Sequence, residues 1–111
     1  MSQQLPSEKV QSIIRIFNQG QLQEALFEST QLLREFPHSA ILHNLAGASN
    51  VGLMQFDVAI ESYEYALKIN PEYAEAYFNM AIAQANKGDV KAAIGSYKRA
   101  IDVRPNYTDA Y

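Results

Sequence analysis

Small and apolar side chains recur along this chain at helical spacing. In three places an alanine is followed after four residues by serine or tyrosine and after seven by leucine or alanine. The triplets are Ala25, Ser29 and Leu32; Ala59, Tyr63 and Ala66; and Ala93, Tyr97 and Ala100. Residues at this spacing share one face of an α-helix, where small side chains let a neighbouring helix approach. The pattern predicts helices over Ser7–Gln19, Leu22–Glu35, Ala40–Leu53, Phe56–Ile69, Ala74–Lys87 and Val90–Val103.

Proline marks a repeat of the whole pattern every 34 residues, at Pro37, Pro71 and Pro105. Proline cannot continue a helix, and it moves the preceding residue out of the α region, so each unit ends there. Gly20 and Gly88 predict a left-handed turn between the two helices of a unit, at a position that Met54 occupies in the middle unit. A helix pair of this length cannot bury its own apolar face, and stacking of the units is therefore the predicted fold.

The repeat resembles the tetratricopeptide repeat, in which an aromatic residue, a Leu-Gly pair, Ala-x3-aromatic and a closing proline recur. The copy that carries the resemblance best has these matches: Tyr77, Met80-Ala81, Gly88, Ala93, Tyr97, Ala100 and Pro105. The units are about 6–39, 40–73 and 74–107 of a single domain covering residues 1–111, and residues 108–111 begin a truncated fourth unit. The resemblance implies an all-α fold, an α-solenoid in which antiparallel helix pairs form a right-handed superhelix.

Composition excludes several partners. The chain has 111 residues, a net charge of −3 and no cysteine, and an acidic balance argues against nucleic acid as the ligand. Neither a membrane-length apolar run nor a signal-peptide layout is present, so the sequence predicts a soluble, cytoplasmic protein.

Candidate catalytic chemistry is sparse. The two histidines, His38 beside a proline and His43 at a packing position, lack the further ligands that a metal site needs. No glycine-rich phosphate loop or hydrolase motif occurs. We therefore predict no catalytic, metal or cofactor site, no cofactor, and a protein that is not an enzyme.

The resemblance implies that the first helix of each unit lines a concave groove that holds a peptide. Its positions fall on the following residues: Val10, Ile14, Phe17, Ile41, Asn44, Ala48, Val51, Glu75, Phe78, Ile82, Ala85 and Asn86. Chaperone-binding members of the family clamp a C-terminal carboxylate with Lys, Asn and Arg, but the corresponding positions here carry Val10, Ile14 and Glu75. An apolar groove and simple packing of these side chains between helices both remain open at this stage.

A second surface suggests self-association. Met54, Val58, Tyr65, Ala92 and Gly95 are apolar or small residues expected on the outer face of the second helices. The last helix also offers Ala93, Tyr97 and Ala100 to a further unit. These apolar and small residues predict a homo-oligomer, formed through the outer face or by end-to-end stacking. They also leave open that the surface was redesigned.

Two functions follow from these predictions. The first is a protein–protein interaction scaffold that binds a peptide or protein through the concave groove and self-associates. The alternative is the N-terminal repeat region of a larger enzyme such as a transferase, which recruits substrates without catalysing.

Overall fold

The computed structural model describes residues 4–104, which form six α-helices and no strand. The helices are α1 (Ser7–Asn18), α2 (Leu22–Glu35), α3 (Ala40–Gly52), α4 (Phe56–Ile69), α5 (Ala74–Lys87) and α6 (Val90–Val103). Every boundary agrees with the predicted one to within a single residue. The truncated fourth unit, residues 108–111, and Pro105 lie outside the described residues.

The residue that follows the second helix of each unit stands directly before a proline in the sequence. Phe36, Asn70 and Arg104 have φ values of −130°, −132° and −140°, well outside the helical region. This is the conformation that a following proline imposes on its neighbour. The helices α2, α4 and α6 therefore end where the sequence predicts.

The turn inside each unit has the same left-handed geometry. Gly20, Met54 and Gly88 have φ values of 81°, 63° and 100°. In each turn the next residue donates its backbone N–H to the carbonyl five residues earlier, as Gln55 does to Asn50 at 2.8 Å. Such bonds satisfy carbonyls at the end of the first helix. Met54 thus takes a conformation that glycine takes in the other two units.

Packing separates the helices into an inner and an outer layer. Each helix packs on its neighbours in the chain, and α3 also contacts α1 and α5, whereas α2, α4 and α6 make at most marginal contact with one another. The first helices therefore form the inner face of the array and the second helices its outer face. The part of the chain that is described includes no helix long and apolar enough to cross a membrane.

The core consists of two apolar clusters between successive units. One joins α1, α2 and α3 around Val10, Ile13 and Leu42, and the other joins α4 and α5 around Tyr63 and Met80. Tyr63 is only 1% exposed. Its counterpart Tyr97 is half-buried, because no described helix covers the far side of α6.

Candidate interaction surfaces

The predicted groove residues lie on the inner helices but differ in accessibility. Ile14, Phe17, Ala48, Val51, Phe78 and Ile82 are half-buried, and Ile41, Glu75, Ala85 and Asn86 are exposed. Val10 and Asn44 are 5% and 4% exposed, and Val10 belongs to the first core cluster. Val10 therefore supports the core and offers no surface to a ligand.

One side-chain amide hydrogen bond joins the inner helices α3 and α5, and a second lies within α5. The Asn79 side chain on α5 donates to the Asn44 side-chain oxygen on α3 at 3.2 Å, and Asn86 donates to the Ile82 carbonyl at 2.8 Å. A buried polar side chain is tolerated only when it is hydrogen-bonded. Asn44 thus serves the contact between units, and sequence reasoning missed its partner because Asn79 lies 35 residues away.

The outer face carries an apolar groove between α2 and α4, with α3 as its floor. Its volume is about 680 Å³. We call it the outer groove; its apolar lining consists of Leu26, Phe27, Leu33, Ala46, Leu53, Val58 and Tyr65. Phe27 is 58% exposed. Phe27 was not among the residues predicted from the sequence. A signal was available, because the same repeat position holds Glu61 and Gly95 in the next two units, which marks it as a position that does not need an apolar side chain.

Tyr65 lies at one side of the outer groove, where neighbouring side chains fix the orientation of its ring. Its ring stacks on His43 with centroids 5.4 Å apart and an interplanar angle of 20°, and the Lys68 ammonium lies 6.0 Å from the ring centre. His43 is itself oriented, since its Nε2 lies 2.9 Å from the Pro37 carbonyl and donates to it. Among the described residues that line this groove, Glu61 is the acidic one.

The corresponding interval between α4 and α6 carries charged and polar side chains at several of the positions that are apolar in the outer groove. Lys87 and Asp57 form an ion pair of 2.6 Å, and the Arg99 guanidinium lies 5.5 Å from the centre of the Tyr77 ring. Ser96 also donates to the Gln84 side chain at 2.7 Å. The two intervals share one backbone architecture and differ in the chemistry of their side chains.

The residues predicted for self-association fall on both intervals. Val58 and Tyr65 line the outer groove, and Met54, 73% exposed, lies in the adjoining turn. Ala92 is half-buried and Gly95 exposed on α6, where a Cβ added to Gly95 meets nothing within 4 Å. Nothing inside the described chain requires glycine at position 95.

The last helix exposes a different stripe from the one expected. Ala93 and Ala100 are buried against α5, so they are not available to a partner. Val90, Ile94 and Ile101 are exposed instead. We call these three residues the α6 stripe.

Titratable groups are mostly solvent-exposed. Within residues 4–104 no cluster of three or more His, Asp or Glu side chains has the arrangement of a metal site. Burial raises the pKa of Tyr63 well above its ordinary value, and the charge of Glu75 raises it further. A tyrosine kept neutral in a helix interface stabilises packing and supplies no reacting group.

Residues 55–88 match a family model described as TPR repeat, and residues 74–107 match one described as tetratricopeptide repeat. A probable UDP-N-acetylglucosamine–peptide N-acetylglucosaminyltransferase of Arabidopsis thaliana is 37% identical over 79 residues, which are 71% of this chain and 8% of that protein. The peroxisomal targeting signal receptor of Saccharomyces cerevisiae is 35% identical over 67 residues, which are 60% of this chain and 11% of that protein.

Among solved structures, the first TPR of Spaghetti bound to an HSP90 peptide, SRMEEVD, superimposes with a TM-score of 0.89. The two chains are 23% identical, and the match covers 99% of this chain and 87% of the other. This likeness establishes the fold. The chain spans about a tenth of the length of the curated relatives it matches.

Proposed function

We propose that this chain, which belongs to the tetratricopeptide repeat family and forms its right-handed α-solenoid, binds an apolar or amphipathic segment of a partner protein on its inner face. The observation that carries the proposal is the row of half-buried apolar side chains on α3 and α5, namely Ala48, Val51, Phe78 and Ile82. Half-buried side chains are held in place by the fold and are still accessible to a ligand. Rigid apolar surface of this kind favours binding because little conformational entropy is lost.

The ligand differs from an acidic C-terminal peptide. The related structure of Spaghetti holds the HSP90 peptide SRMEEVD, whose carboxylates call for charge-assisted donors. In the present chain the inner face carries Glu75, which repels a carboxylate, and the Asn79 amide is engaged with Asn44. Burial of apolar groups is therefore the main source of affinity that this face offers.

A peptide-display selection against the full chain tests the proposal. Selected peptides are expected to be rich in aliphatic and aromatic residues and to lose binding by about tenfold or more with Ile41→Glu or Ile82→Glu. Val58→Glu on the outer face is the matched control and leaves this binding unchanged. Circular dichroism of each variant verifies the helical fold.

One result overturns the proposal directly. If SRMEEVD binds more tightly than the selected apolar peptides, and if Asn79→Ala removes that binding, the inner face recognises carboxylates.

A second function has support from the relatives. The Arabidopsis protein is a probable transferase, and this chain corresponds to 8% of its length. The present repeats would then recruit substrates for a catalytic region elsewhere in a longer protein. Sequencing the reading frame around this segment distinguishes the two functions, since a transferase domain in the same frame supports the second.

Self-association is the remaining part of the proposal. The outer groove and the α6 stripe both expose apolar side chains to solvent, and contiguous exposed apolar surface commonly marks an interface. Mass measured by light scattering across concentration tests this; a constant monomer mass overturns it and leaves peptide binding untouched.

A further inference from the structure

Three of the seven apolar residues that line the outer groove have charged counterparts in the next unit, so the fold does not require apolar side chains at these three positions. The next interval of the same chain has the same backbone arrangement with polar residues 34 positions on, so it serves as an internal comparison. The substitutions between the intervals are Phe27 to Glu61, Leu53 to Lys87, and Tyr65 to Arg99. Because α4, α5 and α6 pack with charged residues at these positions, packing alone does not require apolar ones between α2 and α4.

The α6 stripe has the pattern of a helix face that another helix covers. Its counterparts 34 residues earlier are Phe56, Ile60 and Leu67, which are partly buried in the cluster that α4 forms with α5. In α6 the stripe is open, with Val90 62% and Ile94 50% exposed. Within residues 4–104, two apolar surfaces are therefore left uncovered, a groove between helices and a helix face.

Charge makes these two surfaces complementary. In α4, Asp57 is already paired with Lys87 of α5. The remaining acids of α4, Glu61 and Glu64, outweigh Lys68, which leaves a net charge of −1. In α6, the bases Lys91, Lys98 and Arg99 outweigh Asp102, which leaves +2. Helical spacing puts Lys91 and Lys98 on one flank of the α6 stripe, and Glu61 lies within the outer groove. Opposite charges at the margins of apolar surfaces favour encounter and fix orientation.

Direct end-to-end stacking lacks this complementarity. The residues of α5 that pack on α4 are Ala76, Met80 and Ala83. Their counterparts in α1, 68 residues earlier, are Glu8, Ser12 and Arg15, which are polar and not buried. The outer edge of α1 is thus a poor cover for the α6 stripe of another copy.

We propose that the α6 stripe of one copy lies in the outer groove of a second copy, against Phe27, Val58 and Tyr65. This rests on the self-association proposed above and unites its two routes in a single interface. The contact joins different surfaces of two identical chains, and such a contact generates rings or open filaments rather than a closed dimer. Each added copy brings a new free groove and a new free stripe.

Complementation between two variants tests this arrangement. The groove variant combines Leu53→Lys with Tyr65→Arg, residue types that the chain itself carries in the next interval. The stripe variant combines Val90→Glu with Ile94→Glu. The control variant combines Gln11→Lys with Gln31→Lys, at exposed positions on α1 and α2. It adds the same two positive charges as the groove variant, but away from both surfaces. Light scattering follows the mass of each protein alone and of the two variants mixed in equal amounts.

The expected result is specific. The unmodified chain and the α1/α2 control grow beyond a dimer as concentration rises, while each interface variant alone weakens association by about tenfold or more. The equimolar mixture forms a dimer of one copy of each and stops there, since only one intact groove meets one intact stripe. Circular dichroism identifies any variant that has lost its helices, in which case the single changes Leu53→Lys and Ile94→Glu replace the double ones.

Other outcomes overturn the inference in distinguishable ways. If only the stripe variant is monomeric, two α6 helices meet each other; if only the groove variant is monomeric, two outer grooves do. If both are monomeric and the mixture stays monomeric as well, the two surfaces do not meet each other. A monomeric unmodified chain overturns self-association itself, whereas the peptide-display result on the inner face is independent of all these outcomes.

Discussion

At the scale of single residues, Gly47 of α3 lies directly against the Tyr63 ring of α4. A Cβ added to Gly47 lies 2.6 Å from the Tyr63 Cε1 atom, which is closer than real side-chain contacts. The ring fills the space that glycine leaves, and Tyr63 is almost completely buried as a result. The close approach of α3 and α4 therefore depends on both residues.

The same substitution is expected to have opposite effects at two helical glycines. Gly47→Ala forces the Tyr63 ring to move, and overpacking of this kind lowers the free energy of unfolding by about 1–3 kcal/mol. Gly95→Ala meets nothing within 4 Å and raises that free energy by about 0.5–1 kcal/mol, the usual gain of alanine over glycine in a helix. Urea denaturation at low protein concentration measures both; a destabilising Gly95→Ala contradicts an open site on α6.

Tyr63 is also expected to make the free energy of unfolding decrease at alkaline pH. Its pKa is raised above the ordinary value of 10.0, first by burial and then by Glu75. The unfolded chain therefore loses this proton at a lower pH than the folded chain, and the stabilisation, complete below pH 10, declines as pH rises further.

Tyr63→Phe removes this titration while keeping the ring. We expect the difference in unfolding free energy between the variant and the unmodified chain to shift in favour of the variant above about pH 10, by at most about 1.4 kcal/mol per pH unit. The comparison cancels the titration of the other tyrosines, and denaturation at pH 8 and pH 11 measures it. An unchanged difference would mean that the folded protein ionises Tyr63 as easily as the unfolded one.

At the scale of elements, the turn between α3 and α4 keeps its left-handed geometry without glycine. Met54 has a φ of 63°, and its side chain is largely exposed. A left-handed conformation costs a residue with a side chain about 1–2 kcal/mol. Little contact within the described chain offsets this cost.

Met54→Gly is accordingly expected to stabilise the protein. The relief of backbone strain exceeds the entropic cost of glycine, so the free energy of unfolding rises by about 0.5–1 kcal/mol. Met54→Ala is the control, because it removes the same side chain and keeps the strain, and it changes stability by less than about 0.5 kcal/mol. Thermal denaturation distinguishes the two; a stabilising alanine variant would indicate that the methionine side chain itself is unfavourable.

The elements were predictable from sequence because proline and the recurring turn position mark their ends. Phe36, Asn70 and Arg104 precede prolines, and a pre-proline residue leaves the helix for local steric reasons. The interaction surfaces were less predictable, since neighbouring groove and core positions are separated by a small rotation on the helix. Val10 illustrates this: it was assigned to the groove, and the contact of α1 with α2 and α3 buries it.

The exposure of residues on the outer face could not be predicted from the local sequence, because it depends on helices that lie further along the chain. Phe27 belongs to a helical pattern that gives no sign of exposure, and the groove that it lines requires α3 and α4 as well. Alignment of the three units was the available signal, because Glu61 and Gly95 occupy the same position. Met54 and Val58 were found by this route and Tyr65 by its helical spacing from Val58, and the role of all three in self-association stays a prediction.

At the scale of the whole molecule, stability in a repeat array is a sum of terms for single units and for contacts between neighbours. The same residue type at the same repeat position therefore contributes more to the free energy of unfolding where units pack on both of its sides. Tyr63 lies between α3 and α5, whereas Tyr97 on α6 has described neighbours on one side and contacts Phe78 with ring centroids 5.4 Å apart. These two tyrosines are 34 residues apart and occupy the same position of the repeat.

Truncation of these two tyrosines is expected to measure the contribution of the following unit. Tyr63→Ala removes a fully buried ring and lowers the free energy of unfolding by about 3–5 kcal/mol, while Tyr97→Ala costs about half as much because its ring is already partly solvated. Urea denaturation at a concentration where the chain is monomeric gives both values. If the two costs are equal, Tyr97 is as well covered in solution as Tyr63, and the difference in exposure between the two rings does not hold.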